Sequence, residues 1–74
     1  MEIVGSARKH GITDDDIRAA VRAEFRSFPT GHGLFIIGAD RSGRLLEIVV
    51  VDPDDDPVVI HAMPLREKFY DLLR

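Results

Sequence analysis

The sequence predicts one small α+β domain in which helices precede and follow a three-stranded antiparallel sheet. A capped acidic segment near the N-terminus has the period of a helix. Three runs rich in β-forming residues follow, separated by short turns, and a last apolar segment returns to the helical period. Because 74 residues are enough for one domain and too few for two, residues 1–74 are expected to form a single domain.

The residues before Thr13 predict only short elements. Residues 1–4 fit a short edge strand and the lead-in to a helix equally well. Residues 6–10 fit one or two helical turns, with Ser6 as the N-cap and Gly11 as the left-handed residue that ends them.

The first long helix is expected to begin at Thr13. Threonine is a good N-cap, and the aspartates at 14–16 occupy the first turn, where the helix dipole favours carboxylates. Apolar residues recur at intervals of three and four from Ile17 to Phe28, which predicts one apolar face. Pro29 is expected to end this helix.

Three strands are predicted after this helix, at residues 34–37, 44–51 and 57–63. Residues 40–43 and 52–57 have turn chemistry. Since a parallel crossover needs a dozen or more residues, these short turns predict an antiparallel meander.

A C-terminal helix is predicted from Pro64 onward, because proline suits the first helical position. Leu65, Phe69 and Leu72 then form an apolar stripe at helical spacing. We expect all the helices to lie on one face of the sheet.

The charge distribution is uneven. The net charge is −3, which argues against a nucleic-acid ligand. However, seven of the thirteen acids lie in two clusters, at 14–16 and 52–56, which leaves six acids against ten bases elsewhere. A basic surface is therefore compatible with the composition. Its candidate members are Arg8, Lys9, Arg41, Arg44, Arg66, Lys68 and Arg74.

Composition also limits location and cofactors. No apolar stretch in the first twenty residues resembles a signal peptide, and no run approaches the roughly 20 residues of a membrane span. We therefore expect a cytoplasmic protein without membrane contact. With no cysteine, disulfides and thiolate metal sites are excluded, and a domain this small is expected to gain stability from self-association or a protein partner.

Four side chains near the second and third strands suggest chemistry on a phosphodiester. Strand alternation turns Glu47 and His61 toward one surface. Arg66 and Tyr70, four residues apart on the last helix, lie just beyond it. Histidine or glutamate can move protons and arginine can stabilise charge on phosphate. The alternative interpretation is a solvated sheet face with no catalytic role.

The remaining polar motifs are less specific. His10 follows two cations at a helix end, where it is either a charge that complements the dipole or a general base. The three histidines lack the spacing of a metal site, and the Asp52 loop lacks the central glycine and distal glutamate of a calcium loop. No metal or cofactor is expected.

Three segments together resemble a known family. These are Arg8-Lys-His-Gly-Ile12 before an acidic helix start, Gly43-Arg-Leu-Leu46 at a strand start, and Val58-Val-Ile-His-Ala62 running into a charged C-terminal helix with Tyr70. Their order and spacing are similar to those of BrnT-type toxins from bacterial type II toxin–antitoxin systems.

The resemblance implies a fold related to the RelE and ParE toxins, an endoribonuclease activity that blocks translation, and neutralisation by a small cognate antitoxin. The substrate is expected to be RNA, free or on the ribosome. By position, the resemblance implicates Lys9, His10, Arg44 and Arg66 in RNA contact or catalysis, with His61 and Tyr70 close by.

One departure from the family pattern leaves alternatives open. The family usually ends its last strand with Ser-Ala-Arg, whereas this chain has His61-Ala62-Met63. Either Arg66 supplies the missing charge, or His61 takes over the chemistry, or activity is lost. The leading hypothesis is therefore a metal-independent ribonuclease. The alternatives are a binding module that poisons a protein target, as ParE-type relatives do, and an inactive homologue that forms oligomers.

Overall fold

The computed structural model describes all 74 residues and contains five strands, one α-helix and two 3₁₀ helices. The strands are β1 (Glu2–Ile3), β2 (Glu24–Pro29), β3 (Gly33–Ala39), β4 (Leu45–Val51) and β5 (Val58–Pro64). The α-helix α1 spans Asp14–Arg22, and the N-terminal and C-terminal 3₁₀ helices span Gly5–Arg8 and Glu67–Leu73. The strands form one sheet in the order β1-β5-β4-β3-β2, in which β1 runs parallel to β5 and all other pairs are antiparallel.

The predicted fold class is therefore wrong in its architecture. The chain is an α+β domain built mainly of strands, not a three-stranded meander between helices, and the RelE/BrnT-like arrangement expected from the resemblance is not observed. The three predicted strands do form, as β3, β4 and β5. The additional strands, β1 and β2, pair at the two edges of the sheet.

The largest error concerns the length of the first helix. Thr13 caps it as predicted, because its hydroxyl oxygen accepts a hydrogen bond from the Asp16 amide at 3.2 Å. The helix ends at Arg22, however, and residues 24–29 form β2. This segment carries two β-forming phenylalanines, and its proline is tolerated because β2 is an edge strand. Pairing with β3 therefore overrides an apolar spacing that also fitted a helix.

The main core lies between α1 and one face of the sheet. Ile17 and Ala20 of α1 are fully buried there. They pack with alternate residues of the central strands, and the buried cluster comprises Ile3, Ala7, Ile12, Ile17, Ala20, Ile36, Leu46, Ile48, Val50, Val59 and Ala62. Gly38 lets the end of α1 approach the sheet, since a Cβ atom there would collide with the Ala20 carbonyl.

The C-terminal 3₁₀ helix lies against the opposite face, which corrects the expectation that all helices cover one face. Its Phe69 ring lies 4.9 Å from the ring of Phe35. Phe35 alternates with Leu34 and Ile36, which face the main core. The predicted C-terminal α-helix is thus a seven-residue 3₁₀ helix on the second face of the sheet.

A β-bulge in β5 changes which of its residues share a face. Val49 pairs with His61 and Val50 with Val59, so that Ile60 is left without a partner in the ladder. Val59 consequently faces the main core, whereas strict alternation placed it beside His61. His61, which follows the bulge, lies on the second face of the sheet with Glu47, as strict alternation from Ala62 requires.

The N-terminal segment runs along β5. Ser6 does not cap a helix as predicted, because its hydroxyl instead donates to the carbonyl oxygen of Ile60 at 2.8 Å. Gly11 has the predicted left-handed conformation, with φ of 80°. This path carries residues 8–10 past the bulged part of β5. None of the helices in the fold combines the length and the apolar character needed to cross a bilayer.

Candidate active site around Glu47

A fully buried carboxylate lies at the centre of the second sheet face. Glu47 stands on β4 between Ile37 of β3 and Met63 of β5, and its side chain has no exposed surface. Strand alternation predicted that Glu47 faces solvent together with His61, and the complete burial of its side chain shows that this prediction is wrong. A buried carboxylate is costly unless it is paired and hydrogen-bonded, so its partners define the site.

Arg66 makes most of the contacts that offset the cost of burying the Glu47 carboxylate. Its Nε donates to Glu47 Oε1 at 2.8 Å, its backbone amide donates to Oε2 at 3.2 Å, and a terminal nitrogen lies 2.6 Å from Oε1. The guanidinium also lies over the Phe69 ring, 5.1 Å from its centroid. Since 42% of the Arg66 side chain remains exposed, the fixed guanidinium presents a positive charge to solvent.

His61 is the second partner of the carboxylate. Its Nε2 lies 3.0 Å from Glu47 Oε1, and about a quarter of its side chain is exposed. Burial raises the pKa of Glu47, but hydrogen bonds from Arg66 and His61 outweigh this effect and hold the pKa below its usual range. Glu47 is therefore ionised at neutral pH and can only accept hydrogen bonds. Nε2 of His61 must then carry a proton, which leaves Nδ1 of the neutral ring with a free lone pair.

His10 adds a second imidazole to the site. Its ring centroid lies 5.8 Å from that of His61, with the planes at 76°. The two residues are far apart in sequence and meet because the N-terminal 3₁₀ helix packs along β5. Because His10 is exposed, two imidazoles and one guanidinium lie together at the surface above a single buried carboxylate.

The other predicted residues lie outside this cluster. Arg8 forms a bidentate salt bridge with Asp14, at 2.8 and 2.9 Å, which links the first 3₁₀ helix to α1. Arg44 is held by Asp40 at 3.0 Å. Lys9 is exposed. Tyr70 lines a separate cavity together with Arg44 and makes no hydrogen bond to the cluster.

Sequence reasoning missed two supporting residues. Phe69 lies beneath the Arg66 guanidinium, and their spacing of three residues in a helical segment was a usable signal. Asp40 was assigned only to a turn. Its nearly buried carboxylate accepts hydrogen bonds from the Ser42 and Arg44 amides at 2.9 and 2.8 Å, and it also holds the Arg44 side chain. No sequence signal distinguished it from the solvated aspartates of the 52–56 loop.

The cluster has the groups needed for general acid–base chemistry on an anion. His61 is oriented by a carboxylate and has a free nitrogen, His10 offers a second titratable ring, and Arg66 supplies a fixed positive charge. No group of three or more histidine or acidic side chains is close enough to hold a metal ion.

Comparison with protein-family models, with curated proteins and with solved structures finds no match.

Proposed function

We propose that this chain is a metal-independent endoribonuclease, acting as the toxin of a bacterial type II toxin–antitoxin pair. One observation carries the proposal. The buried Glu47 carboxylate orients His61 through Nε2, which leaves Nδ1 as a base beside His10 and the Arg66 guanidinium. The same His10 and His61 belong to the segments that resemble BrnT-type toxins. A cytoplasmic location and a small cognate antitoxin are part of the proposal.

The proposed reaction uses the ribose 2′-hydroxyl of RNA as nucleophile. His61 Nδ1 accepts the proton of this hydroxyl while its oxygen forms a bond to phosphorus. Arg66 stabilises the negative charge that develops on the phosphate oxygens. The bond from phosphorus to the 5′ oxygen breaks, and protonated His10 donates a proton to that oxygen. The products are a 2′,3′-cyclic phosphate and a free 5′-hydroxyl, so atoms and charges balance without a cofactor.

The test is cleavage of an end-labelled RNA by the purified chain in the presence of EDTA. We expect products with 2′,3′-cyclic phosphate ends, and no cleavage of the same sequence made as DNA. His61→Ala and His10→Ala should each lower the rate by about 10²- to 10⁴-fold, the usual contribution of a general acid or base. His32→Ala is the matched control, because His32 is exposed in the β2–β3 loop.

Induction of the chain in a bacterial host extends the test to the proposed toxin role. Growth arrest with messenger RNA cleavage, lost in His61→Ala, is the expected result. RNA cleavage that requires a divalent metal, or that persists in both histidine variants, would contradict the mechanism.

The second candidate function is a protein-binding module without catalysis. The outer edge of β2 favours it, because an edge strand offers unpaired backbone groups and Phe25 there is half exposed. Arrest of growth with intact messenger RNA, unaffected by His61→Ala, would support this function over the ribonuclease.

A further inference from the structure

A second site lies at the end of the sheet beyond Arg66. It is an open cavity of about 480 Å³, separate from the Glu47 cluster. Its walls are mostly apolar, with one guanidinium and one phenol among them, and its lining residues are Arg44, Leu45, Pro64, Leu65, Tyr70 and Leu73.

The cavity borders the candidate active site directly. The Leu65 amide donates to the Leu45 carbonyl at 2.9 Å, so these two residues join β4 and β5 at its floor. Arg66 follows Leu65 and bonds Glu47, two residues beyond Leu45 on β4. From Leu45 to Val49, the pairing partner of His61, four residues span about 14 Å. A strand of RNA held at Arg66 can therefore place a neighbouring nucleotide in the cavity.

The two polar side chains of the cavity keep groups that are free to bind a ligand. Arg44 is fixed through its Nε, which donates to the nearly buried Asp40. Its terminal amino groups make no hydrogen bond within the chain, and half of the side chain is exposed. The Tyr70 side chain is likewise about half exposed, and no other aromatic ring stacks on it.

We infer that this cavity binds an unpaired guanine base of the RNA substrate and so sets the cleavage preference. This inference deepens the proposed ribonuclease function and rests on it. A base has apolar faces that match the leucine walls and can stack on Tyr70. The free amino groups of Arg44 match the O6 and N7 acceptors of guanine. An aliphatic side chain of a protein partner could pack against the same leucines, but it would leave the amino groups of Arg44 and the hydroxyl of Tyr70 without a hydrogen-bond partner.

Nucleotide titrations followed by NMR test the inference on the full chain without requiring cleavage. We expect 5′-GMP to shift the signals of Leu45, Leu65 and Leu73 at lower concentration than 5′-CMP, and inorganic phosphate to leave them unchanged. Tyr70→Ala should weaken GMP binding by about tenfold or more, from the usual effect of removing a base-stacking side chain. Tyr70→Phe, which keeps the ring, should retain most of the binding.

Arg44→Gln tests the base preference, because a glutamine amide pairs with adenine N6 and N7. We expect the preference to move from guanine toward adenine, both in nucleotide binding and in the positions at which RNA is cut. Arg22→Gln is the matched control, since Arg22 lies exposed on α1 across the sheet from the cavity.

The outcomes separate this inference from the function on which it rests. GMP binding in the cavity of a chain that cuts no RNA would keep the guanine site but reject the ribonuclease and, with it, the cleavage preference. Cleavage that depends on His61 but has the same preferred positions in wild type, Tyr70→Ala and Arg44→Gln would reject the inference. GMP signals confined to the Arg66 region, and equal to those from phosphate, would also overturn it.

Discussion

The Glu47 carboxylate and the His61 imidazole lie on adjacent strands, with Oε1 and Nε2 3.0 Å apart. The carboxylate is fully buried, whereas the ring reaches the surface. This arrangement fixes the ring and determines which of its nitrogens carries the proton. Catalysis by His61 would therefore depend on the buried Glu47 as much as on the exposed part of the His61 ring.

Glu47→Gln tests this relationship. The neutral amide no longer holds the proton on Nε2 by its charge, and its NH₂ group must face an Arg66 N–H donor at either oxygen position, so the hydrogen bond that fixes the His61 ring is weakened. The fraction of His61 that presents a free Nδ1 to the substrate would then fall. We expect RNA cleavage to fall by about 10²- to 10⁴-fold.

Nitrogen chemical shifts of the His61 ring report the tautomer directly, alongside the cleavage rate. Glu24→Gln is the control, because Glu24 is exposed on the edge strand β2. An unchanged His61 tautomer combined with full activity in Glu47→Gln would rule out the orienting role.

The titration of Glu47 predicts an acid-dependent loss of stability. Since the pKa of Glu47 is lower in the folded chain than in the unfolded one, its contribution is fully present above the unfolded value of about 4.3. The contribution disappears as the pH falls through the lower, folded value. The pKa values of Asp14, Asp16 and Asp40 are also lowered by hydrogen bonds, from Arg8, from Arg41 and from the Arg44 turn respectively, so the whole chain should lose stability in acid.

Urea unfolding of wild type and Glu47→Gln at several pH values isolates the part due to Glu47. At pH 7 we expect the variant to be less stable by on the order of 2 kcal/mol, the usual contribution of hydrogen bonds to a charged group. The difference should shrink as the pH falls below about 4. A difference that is constant from pH 7 to pH 3 would contradict this assignment.

Arg66 has two roles that one substitution does not separate. Arg66→Ala removes the positive charge from the surface but also leaves the buried Glu47 carboxylate without its main partner. Because the guanidinium is partly exposed, we expect a loss of about 1–3 kcal/mol in the free energy of unfolding together with the loss of cleavage.

Arg66→Lys is the sharper test. Lysine retains a positive charge near Glu47 but lacks the planar fork that donates through two nitrogens. We expect most of the stability to return while cleavage remains well below wild type. Stability comes from urea unfolding and activity from the labelled RNA. Wild-type cleavage by Arg66→Lys would show that only the charge is needed.

The sequence predicted local features better than long-range ones. Thr13 caps α1 and Gly11 is left-handed because both effects depend on adjacent residues. The segment 24–29 was assigned to a helix because its spacing fits either period, and only pairing with β3 resolves the choice. The architecture failed because the β2–β3 hairpin was missed and because β1 is defined by β5, a partner distant in sequence.

The sequence likewise predicted some features of the site but not the contacts that assemble it. Glu47 and His61 were expected on one surface, and they do share a face, but the bulge at Ile60 and the burial of Glu47 were not visible in the pattern. The resemblance implicated both His10 and Arg66, but His10 was also a candidate through its position at a predicted helix end, and Arg66 through its position beyond the last strand. Their convergence on His61 and Glu47 depends on how the two ends of the chain pack against β5 and β4.

Gly38 is predicted to be essential for packing α1 on the sheet. A Cβ atom there would collide with the carbonyl oxygen of Ala20 and lie close to that of Ala23, and backbone atoms at a helix end cannot move aside as a flexible side chain can. We expect Gly38→Ala to lower the free energy of unfolding by about 1–3 kcal/mol or more, the usual cost of overpacking a core. Gly31→Ala is the control, because nothing lies within 4 Å of its added Cβ. Urea unfolding of both variants gives the comparison, and equal stabilities would show that α1 does not need this close approach to hold the sheet on which Glu47 and His61 stand.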